Sequence, residues 1–578
     1  MMPRQPRLAD HTADGRMLIL AALALVIGSG GAAAAWLLLK MIALATNIAW
    51  YGHVSFDTVS IVPAAHGPRV LLVPVAGSLI IGLMARFGSD KIRGHGIPEA
   101  IEAILFGQSR LSPKVAVLKP ISAAVSIGSG GPFGAEGPII MTGGAIGSLL
   151  AQCFHLTAAE RKTLLVAGAA AGMTAIFGTP VAAMLLAIEV MLFEWKPRSF
   201  VPVAVAALTA IAWRPLLIAS GPMFTLGAPL ALSGETLACA ALLGGGIGIV
   251  ASFLSTALYR IEDGFHALPV HWMWWPALGA VIVGIGGMID PRVLGAGYDN
   301  IQMLLGGSML LRAILLLLVV KAVVWLVALG SGTSGGILAP LLMLGGALGA
   351  VAGHGLPGGV GLYALAGMAA MMSASMRAPL TAAVFAVELT GRLEALPVVA
   401  AASVTGYAVA VLVLRRSILT EKIARRGRHL SQEYAVDPLA RVRAGEIMVP
   451  SPDSLSATMP VGRAVAFLAD APYRSYPVID ARSRPIGLVS RSDAVRWRKD
   501  RPDPATPLGD LLADCPVVSV RPGLPVDLVA ERMLADNLRR MAVVDDDGVL
   551  IGLIARQDLL FARSDWRHEE RARVRFSH

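Results

Sequence analysis

Apolar residues along this chain gather into long runs up to about residue 414 and into short, polar-flanked stretches beyond about residue 430. The runs lie near 17–44, 69–86, 139–153, 163–176, 180–193, 201–218, 237–256, 273–289, 311–330, 335–350, 361–372, 379–390 and 395–414. A straight helix needs about 20 residues to cross a hydrocarbon core of about 30 Å, and several of these runs are shorter. Short pieces are tolerated in lipid only where protein surrounds them or where they line an aqueous cavity, because their end N–H and C=O groups need partners. The pattern predicts a polytopic membrane unit over 17–415, built from many tilted and broken helices and preceded by a tail at 1–16.

Two segments of the apolar part occur twice. Gly134-Ala-Glu-Gly-Pro-Ile-Ile-Met-Thr-Gly-Gly-Ala-Ile-Gly147 is matched by Gly336-Ile-Leu-Ala-Pro-Leu-Leu-Met-Leu-Gly-Gly-Ala-Leu-Gly349, a spacing of 202. Thr179-Pro-Val-Ala-Ala-Met-Leu-Leu-Ala-Ile-Glu189 is matched by Ala378-Pro-Leu-Thr-Ala-Ala-Val-Phe-Ala-Val-Glu388, a spacing of 199. Two homologous halves, each broken by Gly and Pro at corresponding places, predict an ion or solute site where the halves meet.

A helix broken at Gly-Pro inside the membrane exposes its first-turn N–H groups, which together with the helix dipole make an anion site without a full positive charge. A lysine or arginine there would hold the anion longer and slow its release. Close helix packing through small residues is the competing explanation; it suits Gly143, Gly147, Gly345 and Gly349, but accounts neither for the prolines nor for Glu136 between the glycines. An acid in an apolar run is costly, and counting forward by 202 lands on Leu338, so repeat symmetry does not require it. Glu189 and Glu388 occur in both halves, which favours paired bonding to local backbone donors.

Composition agrees with a membrane class: 55% of residues are hydrophobic and 15% charged, and the mean hydropathy is +0.66. The net charge of +10 does not point to nucleic acid, because no basic patch is interleaved with aromatics. Arg415, Arg416, Lys422, Arg425, Arg426 and Arg428 follow the last apolar run and assign that end to the cytoplasm. Only Arg4, Arg7 and Arg16 precede the first long run and no small-residue cleavage site follows it, so it reads as a retained helix. Cys153, Cys239 and Cys515 are isolated and form no metal or redox spacing.

Beyond residue 430 a different repeat appears at a spacing of 65: Tyr476-Pro-Val-Ile-Asp480 before Gly487-Leu-Val-Ser-Arg-Ser-Asp493, and Met541-Ala-Val-Val-Asp545 before Gly552-Leu-Ile-Ala-Arg-Gln-Asp558. Each copy reads as strand, turn, strand, then an Asp at the mouth of a helix. Such an Asp either caps helix N–H groups or accepts hydrogen bonds from a ribose.

Taken in order, these residues resemble one family: the CLC chloride channels and proton-coupled chloride exchangers, with a C-terminal pair of CBS modules. Gly94-His-Gly-Ile-Pro-Glu99, Gly134-Ala-Glu-Gly-Pro138, Gly335-Gly-Ile-Leu-Ala-Pro340 and the two Glu-ended segments carry the resemblance. It implies an all-α membrane bundle of two inverted repeats with broken helices, an α/β tandem of CBS modules at 442–498 and 508–564, a linker at 416–441 and a tail at 565–578. It implies a transporter rather than an enzyme, a homodimer in the cell membrane with both termini cytoplasmic, and chloride or a similar small anion as the ion carried. Glu136 is then the gate, its carboxylate occupying an anion position until protonated or displaced. The anion would meet His95, Gly96, Ile97, Ala135, Glu136, Gly137, Ile337 and Leu338. No cofactor is required, but the CBS pair either receives ATP, ADP or AMP, with Ser490, Asp493 and Asp558 as contacts and Arg491 and Arg556 near the phosphates, or serves only as a scaffold.

Four departures from the family pattern matter. His95 replaces the usual serine, with either a ring N–H for the anion or a ring turned aside. Leu338 replaces a phenylalanine. No Tyr occurs between Glu388 and Pro397, where a phenol is expected, so Leu393 or a neighbour fills that place and anion binding rests more on backbone groups. Val190 replaces the glutamate that passes protons on the inner side, which favours channel-like, passive conduction. The alternatives are proton-coupled antiport by another route, or carriage of another small anion.

Overall fold

The computed structural model describes residues 15–107, 109–227, 232–426, 439, 442–513 and 517–562. Most of the expected N-terminal tail, most of the linker, Cys515 and the tail at 565–578 lie outside the described residues. The chain divides into two compact units, Met1–Gln432 and Glu433–His578.

The first unit is helical throughout its regular structure. Its helices are α1 (Arg16–Thr46), α2 (Arg69–Phe87), α3 (Ile97–Phe106), α4 (Pro113–Gly128), α5 (Glu136–Gln152), α6 (Ala158–Phe177), α7 (Pro180–Leu186) and α8 (Pro197–Leu217) in the first half. The second half has α9 (Gly234–His266), α10 (Trp275–Ile289), α11 (Tyr298–Leu305), α12 (Leu311–Gly330), α13 (Leu338–Gly353), α14 (Val360–Met376), α15 (Pro379–Thr390) and α16 (Leu396–Val413), with α17 (Ile418–Arg425) after them. Among the described residues, 7 helical segments are long and apolar enough to span a bilayer. The shorter α5 and α13 are buried along nearly their whole length, which supplies the protein surroundings that a short helix in lipid needs. Hydropathy alone missed α3, α4 and α11, which carry Glu99, Lys119 and Asp299 within them.

The halves pack alike. α5 lies on α6 as α13 lies on α14, and α1 lies on α8 as α9 lies on α16. A Cβ on Gly147 would come 2.0 Å from the Leu164 carbonyl oxygen, and one on Gly349 would come 1.9 Å from that of Tyr363, so both helix pairs touch backbone to backbone.

The halves are also bonded reciprocally. Gly134 N–H donates to the Gly336 carbonyl (3.2 Å) and Gly336 N–H donates back to Gly134 (2.9 Å). Glu189 accepts from the amides of Leu380 (3.2 Å) and Thr381 (2.8 Å) at the start of α15, while Glu388 accepts from Val181 (3.0 Å) and Ala182 (2.8 Å) at the start of α7. Equivalent atoms exchanging bonds in this way require a twofold relation between the halves, which a simple translation along the chain would not produce. The two glutamates therefore cap the opposite half, rather than the local backbone that the sequence suggested.

In the second unit, β2 (Leu455–Ser456), β3 (Ser475–Ile479) and β4 (Pro485–Ser490) form one sheet, with β2 and β3 parallel and β3 and β4 antiparallel. The other sheet has the order β1-β7-β6-β5, from β1 (Val449–Pro450), β5 (Ser519–Val520), β6 (Arg540–Val544) and β7 (Leu550–Ala555). Each sheet carries its own helices: α19 (Val461–Asp470) and α20 (Arg491–Asp500) in the first copy, α22 (Val526–Ala535) in the second. The leading helices are exchanged. Ala444 of α18 (Ala444–Ile447) joins the core of the second copy, and Leu508 and Leu512 of α21 (Leu508–Leu512) join that of the first. In both copies the strand-ending aspartate closes the hairpin: Asp480 accepts from the amides of Arg482 and Arg484, and Asp545 from those of Asp547 and Val549. These donors, the Arg484 amide foremost, hold the Asp480 carboxyl below the usual carboxylate range.

Because Glu388 satisfies two first-turn amides of α7 across the interface, Glu388→Ala is expected to destabilise the membrane unit by about 2 kcal/mol. A lowered thermal midpoint of the detergent-solubilised chain checks this, and an unchanged midpoint refutes it.

Candidate functional site

Three helices begin at one junction. α3, α5 and α13 start after Gly96, Ala135 and Ile337, and each has a proline in its first turn: Pro98, Pro138 and Pro340. Proline suits these positions because its missing N–H has no helical acceptor there anyway. The helical bond series opens with Ile139 to Ala135 in α5 and Leu341 to Ile337 in α13, so the amides of Glu136, Gly137, Leu338 and Ala339 have no acceptor within their own helices.

The loops that precede these helices interlock. Besides the Gly134–Gly336 exchange, Gly94 N–H donates to the Thr333 carbonyl at 2.9 Å. A Cβ on Gly137 would lie 1.8 Å from the His95 carbonyl oxygen, and one on Gly336 2.7 Å from that of Gly134. Gly96 has φ +90°, a conformation that glycine adopts without strain, and a Cβ there would meet the Gly137 carbonyl oxygen at 2.8 Å. The sequence-derived residues His95, Gly96, Ile97, Ala135, Glu136, Gly137, Ile337 and Leu338 are thus brought together, all of them buried.

Glu136 has no exposed surface. Its Oε1 accepts from the Tyr298 hydroxyl at 3.2 Å. Its Oε2 has no partner and lies over the Gly134–Gly336 pair, where a Cβ on Gly336 would be 2.6 Å away. His95 is 2% exposed and its Nδ1 has no partner, leaving one ring nitrogen unengaged. The Gly96 amide is already used: it donates to Glu99 Oε2 at 3.0 Å, closing the capping box of α3. Gly96 therefore shapes the loop, and Ile97 carries the free donor on that helix. Glu99 Oε1 in turn pairs with Lys422 and Arg426, each at 3.1 Å.

Leu393 does not reach the junction. It is 72% exposed on the turn Leu393–Ala395 that links α15 to α16. The phenol that does arrive is Tyr298, from the start of α11, a segment the sequence reading passed over. Two buried lysines were overlooked too. Lys119 Nζ donates to the carbonyls of Ile92 and Gly94, both at 2.7 Å, and Lys321 Nζ to those of Val293 (2.8 Å) and Gly295 (2.9 Å). Both lysines are fully buried. Lys119 therefore lies buried behind the Gly94 loop, outside the Gly-Pro segments, with its Nζ turned onto backbone carbonyls. Lys119 and Lys321 stand 202 apart, and Gly94-His-Gly96 precedes Gly295-Ala-Gly297 by 201. Extending the repeat search to these positions would have exposed both features.

In the second unit, Asp493 Oδ2 accepts from Ser490 N (2.9 Å) and Ser490 Oγ (2.6 Å), and its Oδ1 binds Arg496 at 2.9 Å. Asp558 accepts from Ala555 N at 2.7 Å. Both aspartates act as helix caps in this structure. Arg491 donates to the Ala471 carbonyl (2.6 Å) and Arg556 to that of Leu538 (2.7 Å), so each arginine braces the end of a preceding helix.

Residues 76–411 match the family model described as voltage gated chloride channel, and residues 444–500 and 508–565 each match the CBS domain model. The chain belongs to the voltage-gated chloride channel, or CLC, family, whose members are channels and transporters rather than enzymes, and carries a tandem CBS pair. A protein of Ralstonia nicotianae named as a ClcB-like chloride channel protein is 29% identical over 366 residues, covering 61% of this chain and 85% of its own. The H(+)/Cl(-) exchange transporter ClcA of Salmonella arizonae is 32% identical over 354 residues, covering 56% of this chain and 73% of its own. A crystal structure of a slow cyanobacterial Cl-/H+ antiporter shares the fold, with a TM-score of 0.62 at 21% identity over 72% of this chain and 99% of its own.

Gly137→Ala is expected to force the His95 loop away from α5 and destabilise the fold by about 2 kcal/mol or more, since backbone rather than a flexible side chain fills the space. A thermal midpoint equal to that of the unaltered chain would refute the close approach.

Proposed function

We propose that the membrane unit carries chloride across the cell membrane in exchange for protons, with Glu136 as the gate. One observation carries the reading: the buried Glu136 carboxyl lies over the Gly134–Gly336 pair, among first-turn amides that lack helical acceptors. A carboxylate and a chloride ion would compete for such donors, so protonating or displacing the acid admits the anion. The donors are the amides of Ile97, Glu136, Gly137, Ile337 and Leu338, joined by the unengaged Nδ1 of His95, with Gly96 shaping the loop and the Ala135 amide turned to the Tyr298 hydroxyl. Relatives named as proton/chloride exchangers at 32% identity support antiport over a passive channel. Val190 is fully buried and aliphatic, so protons would reach Glu136 from the inner side by a route that avoids it. The same valine favours a second reading, passive conduction, which also has a relative named as a channel.

Reconstituted protein separates the two. An outwardly or inwardly imposed chloride gradient is expected to drive protons uphill; chloride flux without proton movement would establish the passive reading instead. Glu136→Gln, whose neutral amide resembles the protonated acid, is expected to abolish the coupling and flatten the pH dependence of flux. His95→Ser in the same vesicles is expected to change the order of anion preference.

The assembly reading is a homodimer, as the family resemblance implies, with both termini in the cytoplasm; the basic residues that follow α16 support that side for the C-terminal end. The CBS pair is read as a regulatory nucleotide site, with a ribose displacing the capping bonds of Ser490 and Asp493 or of Asp558. Millimolar ATP, ADP or AMP is expected to raise the melting midpoint of the full chain, and Asp493→Ala to reduce that shift. An unchanged midpoint with all three nucleotides favours a scaffold.

A further inference from the structure

Tyr298 occupies a telling position in the repeat. In the first half, Lys119 holds the carbonyls of Ile92 and Gly94, and the loop then turns at Gly96 to deliver Ile97 at the start of α3. In the second half, Lys321 holds the carbonyls of Val293 and Gly295, and the loop turns at Gly297 (φ +75°) to deliver Tyr298 at the start of α11. The same backbone device thus presents an isoleucine amide in one half and a phenol in the other.

The phenol bridges two parts of one gate. Its hydroxyl donates to Glu136 Oε1 (3.2 Å), and its oxygen accepts from the amide of Ala135, the residue before α5 (3.5 Å). The ring is held apart from these bonds. It packs edge-on against Phe177 at the end of α6, with centroids 6.5 Å apart, and at a tilt against Phe224 at 6.4 Å; Phe177 in turn meets Phe385 of α15 at 5.4 Å. The ring contacts with Phe177 and Phe224 therefore fix the direction of the hydroxyl whether or not an acceptor is present. No side chain other than Tyr298 bonds to the Glu136 carboxyl among the described residues.

We propose that Tyr298 is the latch of the Glu136 gate: its hydroxyl stabilises the ionised carboxyl in the closed position and so limits how often the pathway opens. The proposal rests on the assignment of Glu136 as the gate. Tyr298 acts through Glu136 and is a positioning residue. Both bonds are longer than the usual 2.7–2.9 Å, so the latch is worth the lower end of what a hydrogen bond to a charged group contributes.

Tyr298→Phe removes the hydroxyl and keeps the ring contacts. Chloride efflux from vesicles is measured for four full-length proteins: the unaltered chain, Tyr298→Phe, Glu136→Ala, and the double variant. Tyr298→Phe is expected to speed efflux about tenfold when Glu136 is present, and to change it less than twofold in the Glu136→Ala background. Efflux from the Glu136→Ala pair also reports that the Tyr298→Phe protein folds and conducts. No change, slower efflux, or the same factor in both backgrounds overturns the latch. If Glu136→Ala itself leaves efflux and its pH dependence unaltered, the gate assignment has failed; if Glu136→Ala alters them while Tyr298→Phe does not, the latch alone has failed.

Discussion

Everything in the membrane unit depends on one bonded pair: Gly134 and Gly336 exchanging backbone hydrogen bonds on the axis between the halves. That exchange draws the starts of α5 and α13 together in the middle of an apolar bundle. Helix starts carry N–H groups without intrahelical acceptors, and leaving them unpaired in a dry interior is expensive. A small anion, or a carboxylate in its place, would satisfy them. The glycines at 96, 137 and 336 are needed because neighbouring backbone, joined at Gly336 by the Glu136 carboxyl, occupies the space in which a Cβ would sit.

Around this pair each half repeats the same devices and then varies their side chains. A buried lysine grips two carbonyls of the loop before a short helix in both halves, and a glutamate caps the opposite half in both. The copies diverge at the residues of the proposed site. Glu136 stands opposite Leu338, His95 opposite Ala296, and Ile97 opposite Tyr298. A structural scaffold obeys the twofold relation, whereas the proposed gate breaks it, because a second carboxylate at position 338 would add a like charge beside the first.

The second unit follows the same economy of repetition. Exchange of the leading helices α18 and α21 ties the two copies together, since neither core is complete without a helix from the other's stretch of chain. Asp493 and Asp558 hold the mouths of equivalent helices with capping bonds that a ribose hydroxyl can also make.

The sequence by itself determined the features that are local or periodic. Apolar runs, Gly-Pro breaks and the spacings of 202, 199 and 65 report the membrane unit, its halves, the Glu136 segment and the second unit, because helix breaking and burial act on neighbouring residues. Only the tertiary structure decided which partners those residues meet. Tyr298 reaches Glu136 across 162 positions and Glu388 reaches Val181 across 207. Leu393, favoured by its nearness to Glu388, ends on an exposed turn, and the Gly96 amide is claimed by Glu99. Such pairings are set by how helices from two halves cross in space, and no pattern of neighbouring residues encodes that geometry.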